Sequence, residues 1–440
     1  MMNAGTISEA GSSTSLVTPS MLRRAVVSCA LGQVFENFDF VLYGFMAATL
    51  ARSFFPAGHP LVALLSTFAT FAMGFLMRPI GAFVLGHFGD KYGRVRALVL
   101  TITMMALSTG VIGLIPTYSS IGIFAPCILI ICRMFQGFAA GGEWGGAAVF
   151  LVEYAPIKQR GFISSFQQAG TGLGVLLASL PTAILATVLT PQEFLHWGWR
   201  LPFLFGFVLG PIGHYLRTHV AETPSFKRQQ AAHDEPSAPI REAFTTQRRA
   251  LSAVFGMSIL SICLNVVFLI FLPAFAVHQL HLPASAAFFA TTIAGVIYVI
   301  GPPLSGTISD RIGRKPILFA QGLSAIILSY PLFLLVNSWK SVTALIVTEA
   351  IAGVIIALGA GVGAAIRAEA FPTRVRYTGL SVSYGLSIAI FGGFGPLIAT
   401  GLIGVTGNPL APAYYVIAGA ISTLVAICFM REGYGKPLLD

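Results

Sequence analysis

Long runs of apolar residues, separated by short polar segments, occupy most of this chain. Twelve runs can be drawn, approximately at residues 24–50, 61–86, 97–115, 121–145, 162–188, 199–217, 250–275, 286–308, 316–336, 341–366, 378–403 and 411–431. A helix that crosses a bilayer needs roughly 20 apolar residues, and the runs are about that long. They do not alternate as the strands of a β-barrel do. The pattern therefore predicts an all-α integral membrane protein with twelve transmembrane helices.

The longest polar stretch inside the chain, residues 218–249, has six apolar runs on either side. This arrangement predicts two six-helix bundles joined by a linker. The predicted parts are a disordered tail at 1–20, an N-terminal six-helix bundle at 21–217, the linker at 218–249, a C-terminal six-helix bundle at 250–431 and a second tail at 432–440.

Composition and charge narrow the class of protein. Of 440 residues, 55% are apolar and only 10% are charged, against about 25% charged residues in a typical soluble domain. Such a chain is not expected to be a soluble enzyme.

Its net charge is +10, but Lys and Arg cluster between the runs, mostly on the side that carries both termini and the linker. Arg367 is expected there, in the loop after the tenth run. The positive-inside rule then predicts cytoplasmic termini, a bilayer as surroundings and no nucleic-acid partner.

No pattern in the chain indicates a metal, a cofactor or an enzymatic centre. The five cysteines have no metal-ligand spacing and lie inside apolar runs, where they are predicted to be buried small hydrophobes. No P-loop motif is present, which argues against an ATP-driven pump. A metal site and a cofactor are therefore not expected.

Two loop motifs occur once in each predicted bundle. The pattern G-x3-D-(K/R)-x-G-R follows the second run at Gly86–Arg94 and the eighth run at Gly306–Arg314, 220 residues later. Glu153–Pro156 after the fourth run is echoed by Glu369–Pro372 after the tenth, at an offset of 216 residues. Charges on such glycine-containing turns can pair with helix ends. We therefore predict that the charged members of the first motif act as conformational gates: Asp90, Arg94, Asp310 and Arg314.

The paired loop motifs resemble the signature of the major facilitator superfamily, whose plan of six plus six helices fits the whole chain. Further motifs are similar to its metabolite:proton symporter branch, namely Glu36–Gly44, Gly74–Gly81, Arg133–Gly137 with Gly141–Gly146, and Trp197–Phe203. The resemblance implies the major facilitator fold and a proton symporter in the bacterial inner membrane, expected to be monomeric. Substrates of that branch include citrate, 2-oxoglutarate, shikimate, proline and betaine.

The resemblance is less specific about the substrate. Phe54–Ala57, Val375–Arg376 and Phe391–Pro396 are most similar to citrate–proton symporters, whereas Ala368–Pro372 is equally similar to 2-oxoglutarate carriers. Glu349 departs from both patterns. We expect proton-coupled uptake of a small tri- or dicarboxylate by alternating access. Symport of shikimate, or of a zwitterion such as proline or betaine, is the alternative, and a membrane substrate sensor is the alternative outside transport.

Charged residues within the apolar runs are candidates for function, because a charge in a bilayer costs at least about 2.5 kcal/mol. Glu36, Asp39 and Tyr43 share one face of the first helix, and Arg133, Gln136 and Glu143 share one face of the fourth. These faces are predicted to line a cavity between the two bundles.

The types of these side chains suggest their roles. The guanidinium of Arg133 is predicted to bind a substrate carboxylate, since its fork accepts two oxygens; a structural pair with Asp39 or Glu143 is the alternative. Arg78 is predicted to bind substrate, to form a salt bridge in the gate region or to extend its charged end toward the membrane surface.

The acidic side chains are the candidate proton carriers. Asp39 and Glu36 are predicted to couple transport to protons, because a low-dielectric cavity favours the protonated carboxyl. Glu143 is expected near the cytoplasmic end of the fourth helix, with a coupling role in the inner gate. The uncharged polar candidates for the substrate pocket are Asn37, Tyr43, Gln136, Gln167, Gln168, Asn265 and Tyr384.

Overall fold

The computed structural model describes residues 19–55, 60–92, 94–141, 143–208, 210–211, 215, 244–372 and 375–439. Nearly all of the predicted N-terminal tail and most of the predicted linker lie outside these residues. Within them the secondary structure is helical, and no strand occurs.

The described residues of the N-terminal half form ten α-helices. They are α1 (Pro19–Phe45), α2 (Ala47–Phe54), α3 (Pro60–Tyr92), α4 (Arg94–Leu114), α5 (Tyr118–Ile121), α6 (Phe124–Gly141), α7 (Trp144–Tyr154), α8 (Arg160–Val188), α9 (Pro191–Glu193) and α10 (Arg200–Leu204) among the described residues. A 3₁₀ turn at Ile157–Gln159 precedes α8, and a π-helical turn at Phe194–Gly198 precedes α10.

The described residues of the C-terminal half form eight α-helices. They are α11 (Arg248–Leu264), α12 (Leu272–His278), α13 (Ala284–Ile312), α14 (Arg314–Trp339), α15 (Val342–Glu369), α16 (Arg376–Ser387), α17 (Gly395–Thr406) and α18 (Ala411–Phe429). A π-helical segment at Asn265–Phe271 joins α11 to α12, and another at Ile388–Gly393 precedes α17.

Ten spans of the described residues are long and apolar enough to cross a membrane. The third predicted helix corresponds to α4, whose apolar part, Val99–Leu114, is shorter. The sixth, predicted at 199–217, is described only in part. The observed helices therefore follow the predicted runs closely, with the largest extensions at their polar ends.

A proline follows each of the two π-helical segments in the C-terminal half within three residues. Pro273 and Pro396 have no N–H, so the carbonyls of Leu269 and Gly392, four residues earlier, lose their usual helical donor. Both carbonyls lie inside the π-helical segments. These segments border the cavity described below, which agrees with the frequent occurrence of π-bulges at functional sites.

The two halves meet along a close crossing of α8 with α13. A Cβ added at Gly172 of α8 would lie 2.5 Å from the carbonyl carbon of Tyr298 in α13, closer than real Cβ atoms approach backbone. Only glycine permits this backbone approach. The crossing brings the functional side chains of the two halves to one central cavity.

Two predictions about burial are wrong. Arg367, expected in a loop, is only 2% exposed, because α15 continues to Glu369. Cys127 and Cys428, expected to be buried, are exposed on the outside of the bundle. In a bilayer an apolar side chain gains little from burial in protein rather than lipid, so an apolar run alone does not indicate burial.

Candidate functional site

A cavity of about 90 Å³ lies between the two halves. Of the predicted site residues, six line it: Glu36, Asn37, Arg78, Gln168, Asn265 and Tyr384. Sequence reasoning missed further lining residues, among them Gln33, Trp144, Thr171, Ser261, Tyr298 and Arg367. The described lining thus carries two guanidinium groups and one carboxylate.

Arg78 and Glu36 form an ion pair on the N-terminal wall of this cavity. Arg78 Nη1 lies 2.8 Å from Glu36 Oε1, and both side chains are about nineteen-twentieths buried. The guanidinium carbon of Arg78 lies 4.4 Å from the ring centres of both Phe40 and Phe75. Gln33 donates a hydrogen bond of 3.3 Å to the second oxygen of Glu36. Of the alternatives predicted for Arg78, the salt bridge is present in this conformation.

Arg367 supplies the second cation, from the C-terminal wall. Its Nε donates to Ser258 Oγ at 3.0 Å, and its guanidinium carbon lies 5.3 Å from the ring centre of Tyr384 and 5.7 Å from that of Trp144. No Asp or Glu among the described residues forms an ion pair with Arg367. The predicted end of the tenth helix fell one residue before Arg367. Small and apolar residues continue to Ala368, and this signal could have placed Arg367 inside the tenth helix.

The rings beside Arg367 join the two halves. Trp144 of α7 and Tyr384 of α16 stack with their ring centres 3.6 Å apart. Their faces are electron-rich and attract the guanidinium, although they do not neutralise its charge. The cavity therefore contains a buried cation, Arg367, and no acidic side chain among the described residues neutralises it.

Asp39 and Arg133 lie behind the cavity wall, within the N-terminal half. Arg133 is completely buried, and its guanidinium carbon lies 4.4 to 5.1 Å from the ring centres of Tyr43, Phe40 and Phe71. Its Nη1 donates to Gln136 Oε1 at 2.6 Å. Arg133 and Gln136 therefore share a face of the fourth helix, as predicted, but aromatic rings cover this face at Arg133.

Thr109 connects Arg133 indirectly to Asp39. Gln136 Nε2 donates to Thr109 Oγ1 at 2.9 Å, and the Thr109 hydroxyl contacts Asp39 Oδ1 closely. That hydroxyl also lies 2.8 Å from the carbonyl oxygen of Met105. Its single proton can go to ionised Asp39, or to Met105 when a protonated Asp39 donates instead. The chain from Asp39 to Arg133 can thus adapt to either protonation state.

We expect Thr109→Val to lower the free energy of unfolding by about 1 to 3 kcal/mol, because it leaves buried polar groups on Asp39 and Gln136 unsatisfied. Thermal unfolding of the detergent-solubilised protein measures this change. Thr103→Val is the matched control, since Thr103 on the same helix bonds to the carbonyl of Val99 within its own helix. Equal effects of the two substitutions would contradict the proposed network.

The other predicted site residues serve local contacts. Tyr43 donates from its hydroxyl to the Thr67 carbonyl at 3.1 Å, and Gln167 Nε2 donates to the Trp144 carbonyl at 3.2 Å. Glu143 is 3% exposed at the junction of α6 and α7. Because α7 continues to Tyr154, Glu143 lies well inside the fourth span, which corrects its predicted position near the end.

Comparisons with known proteins identify the family. The Major Facilitator Superfamily profile matches residues 29–358 and 255–438. The proline/betaine transporter of Escherichia coli K12 is 35% identical over 435 residues, which cover 96% of this chain and 86% of that protein. The citrate-proton symporter of Klebsiella pneumoniae is 37% identical over 413 residues, which cover 92% and 91%. This chain belongs to the Major Facilitator Superfamily.

A solved structure agrees on the fold. The xylose transporter XylE from Escherichia coli, in a partially occluded inward-open conformation, matches with a TM-score of 0.75 and 17% identity, over 95% of this chain and 100% of that one. The predicted fold class and the metabolite:proton symporter branch are confirmed. The relatives and the fold are those of major facilitator transporters, so the expectation that the chain is not an enzyme is also confirmed.

In this superfamily member, the loop motif of the C-terminal half contacts the N-terminal half. The two oxygens of Asp310 accept hydrogen bonds from the backbone N–H groups of Gly161 (2.9 Å) and Phe162 (2.8 Å) at the start of α8. Arg314 Nη1 holds the same carboxylate at 2.6 Å. A carboxylate is stabilised at a helix N-terminus. We call this end of the bundle the motif end; the side chains of Asp90 and Arg94 lie outside the described residues.

Further contacts join the halves at the motif end. Glu153 pairs with Arg376 at 2.8 Å, so one member of the second repeated motif also bridges the halves. The C-terminal tail adds backbone acceptors: Arg160 donates to the Lys436 carbonyl and Arg376 to the Leu439 carbonyl, both at 2.9 Å. The predicted tail therefore packs across the motif end, which is closed in this conformation.

Closure also depends on two glycines. A Cβ at Gly306 would lie 2.6 Å from the carbonyl oxygen of Gly161, and one at Gly161 would lie 2.7 Å from the Gly306 carbonyl oxygen. We expect Gly306→Val to prevent closure, so that most molecules are open at the motif end. Spin labels on Lys158→Cys and Arg311→Cys, which are exposed on opposite halves, would then show a longer distance by electron paramagnetic resonance in a cysteine-free background.

The control for this experiment is Gly401→Val, because a Cβ at Gly401 meets nothing within 4 Å. An unchanged distance distribution in Gly306→Val would show that the crossing of α8 with α13 does not control closure.

The opposite end of the bundle is also bridged in this conformation. Phe45 of α1 lies 5.2 Å from Phe288 of α13 between ring centres, and Thr292 donates to Ser179 Oγ of α8 at 2.9 Å. The cavity with Arg78 and Arg367 thus lies between two levels of contact, an arrangement that suits alternating access.

Proposed function

We propose that this chain is a proton-coupled symporter of a small carboxylate metabolite in the bacterial inner membrane. The observation that carries the proposal is Arg367, a buried guanidinium that lines the central cavity without an acidic partner among the described residues. Burial of an uncompensated charge costs several kcal/mol. A substrate carboxylate would remove this cost, and the guanidinium fork would orient it in bidentate geometry.

Arg78 and Glu36 supply a coupling mechanism. While Glu36 is ionised it occupies Arg78, as in the present conformation. A proton on Glu36 would remove this competition and free Arg78 for a second carboxylate of the substrate. Release of that proton on the other side of the membrane would restore the pair and weaken substrate binding. Proton and substrate would therefore bind with positive coupling.

Asp39 is a second candidate for coupling in the N-terminal half. Its protonation would reverse the hydrogen bond with Thr109, whose hydroxyl also accepts from Gln136, the partner of Arg133. Arg133 and Gln136, predicted to bind substrate, are covered by aromatic rings in this conformation. A direct substrate contact would require those rings to move, so we assign this network to helix packing and coupling.

A zwitterion is the second candidate substrate, and the stack of Trp144 on Tyr384 favours it. Aromatic faces bind quaternary ammonium groups, and the carboxylate of the same molecule could lie on Arg367. The relative named as a proline/betaine transporter agrees with this alternative, and the relative named as a citrate-proton symporter agrees with the first. The excess of guanidinium over carboxylate groups in the described lining favours an anion.

Membrane orientation and domain boundaries follow from the same proposal. The motif end would face the cytoplasm, with both termini and the linker at 218–249, in agreement with the excess of Lys and Arg there. Each six-helix bundle would move as a unit around the cavity, and one chain would suffice because the cavity lies within it.

Ligand binding to the purified protein tests the proposal. A ligand that binds the folded state raises the unfolding temperature. We expect citrate or 2-oxoglutarate to stabilise the protein and proline, betaine and shikimate to have little effect. Stabilisation by betaine and proline alone would indicate a zwitterionic substrate. Stabilisation by shikimate alone would indicate a hydroxy acid recognised through its single carboxylate.

A further inference from the structure

Glu349 is a buried acid that the proposed coupling does not use. It lies in α15 of the C-terminal half, has no exposed surface and is absent from the cavity lining. Its Oε1 lies 3.3 Å from Thr291 Oγ1 of α13. Its Oε2 has no hydrogen-bond partner among the described residues. The carboxyl group is therefore enclosed by protein, with one weak polar contact.

No charged group of the described residues compensates Glu349. The helices packed against α15 include α7, α8, α11, α13, α14 and α16. Their charged residues all lie near the motif end: Glu153, Arg160, Arg248, Arg249, Asp310, Arg311, Arg314, Lys315 and Arg376. On α15 itself, Arg367 is 18 residues from Glu349, or about 27 Å along a helix. Glu369, which pairs with Arg314 at the motif end, is 20 residues away, or about 30 Å.

The remaining titratable groups on these helices are five tyrosines and Cys263 of α11, none of which is a cation. Tyr298 of α13 lies seven residues beyond Thr291, or about 10 Å along the helix. Tyr330 of α14 packs against Tyr414 with ring centres 5.8 Å apart. Neither of them is a cation that could compensate an ionised Glu349.

These surroundings require a neutral carboxyl group. An isolated ionised carboxylate in such a place would cost far more than a protein's stability, so the group binds a proton instead. The hydrogen bonds permit this form, because Thr291 can donate its own proton to the Ala287 carbonyl at 3.2 Å and accept one from Glu349.

The position of Glu349 links it to the contact between the halves. Thr291, the hydrogen-bond partner of Glu349, is followed in α13 by Thr292. Thr292 donates across the interface to Ser179 of α8. Opening of the bundle at the end opposite the motif end would break this bond and separate α8 from α13. Water could then reach the Thr291–Glu349 pair and accept the proton, and the Thr291 hydroxyl would turn from the Ala287 carbonyl to the ionised carboxylate.

We propose that Glu349 is a proton-binding site of the C-terminal half, which holds a proton in this conformation and exchanges it with water when the seam between α8 and α13 opens. The proposal rests on proton-coupled transport but not on the identity of the substrate. It makes the C-terminal half a participant in proton binding alongside Glu36 and Asp39.

Infrared difference spectroscopy of the protein in liposomes tests the site without substrate. We expect a carbonyl band of a protonated carboxyl group at neutral pH that disappears reversibly at alkaline pH and is missing from Glu349→Gln. Thr348→Val is the control, since Thr348 is a buried polar neighbour on the same helix, and its one hydrogen bond among the described residues goes to the Leu332 carbonyl at 3.5 Å. Spectra of Glu349→Gln and wild type that are the same would overturn the proposal.

A band that persists at every pH would also overturn it, since Glu349 would then be permanently neutral and structural. The reversal potential of labelled citrate transport is a second readout, because it gives the proton:citrate ratio. We expect a lower ratio in Glu349→Gln than in wild type. An unchanged ratio would contradict proton exchange at Glu349 during transport. If wild type carries no citrate, the proposed substrate fails and the infrared titration alone decides the proton site.

Discussion

Arg367→Gln is expected to weaken binding of a carboxylate substrate by about 30-fold or more. Truncation of one partner of a buried charge pair costs about 2 to 5 kcal/mol, and each 1.4 kcal/mol corresponds to about tenfold in affinity. Uptake of labelled citrate into proteoliposomes over a range of concentrations measures the loss. Arg367→Lys should lose less, because it keeps the charge but not the fork that holds two oxygens.

The matched control for this prediction is Arg249→Gln. Arg249 is exposed at the start of α11, so its loss changes the net charge equally without touching the cavity. A folded Arg367→Gln protein with the citrate affinity of wild type would show that the substrate binds elsewhere. If its affinity for citrate fell no more than in Arg249→Gln, the effect would be one of net charge.

Glu36→Gln is expected to reduce accumulation driven by a pH gradient while substrate exchange continues. Glutamine has nearly the same shape but cannot ionise, so Arg78 would stay available and substrate binding would no longer depend on a proton. One pH unit corresponds to about 1.4 kcal/mol per proton, or about tenfold accumulation for each coupled proton. In the variant the contribution of Glu36 to this factor is expected to fall to about one.

Uptake under an inside-alkaline gradient measures accumulation, and counterflow on the same liposomes measures substrate exchange. Glu193→Gln is a suitable control because Glu193 is exposed and caps the short helix α9. Full accumulation by Glu36→Gln would contradict coupling through the Arg78 pair. Loss of accumulation in Asp39→Asn alone would then assign coupling to the Thr109 network.

The fold and the motif-end contacts were accessible to sequence reasoning because their signals are local. Apolar runs of bilayer length mark the helices whatever packs around them. The repeated G-x3-D-(K/R)-x-G-R pattern places Asp310 and Arg314 on one short turn, so a contact with a helix end could be predicted. The tail contacts at Lys436 and Leu439 depend on residues far away in the chain, and no pattern indicated them.

The cavity was predicted only in part, since helical phase gives a face but not what covers it. Glu36, Asp39 and Tyr43 share a face of α1, yet only Glu36 reaches the cavity. Asp39 turns toward Thr109 of α4, and Tyr43 toward Thr67 of α3. Arg367 was missed for a different reason. Helix ends are uncertain by a few residues, and one residue decided whether a charge was assigned to a loop or to the cavity.

Uptake of labelled citrate by wild-type proteoliposomes, with and without an inside-alkaline pH gradient, tests the central claim most directly. We predict accumulation that depends on the gradient, is abolished by a protonophore and is inhibited by 2-oxoglutarate but not by betaine. Accumulation of betaine or proline with no citrate uptake would contradict the carboxylate specificity. Citrate binding without flux under any gradient would contradict transport itself and indicate a sensor.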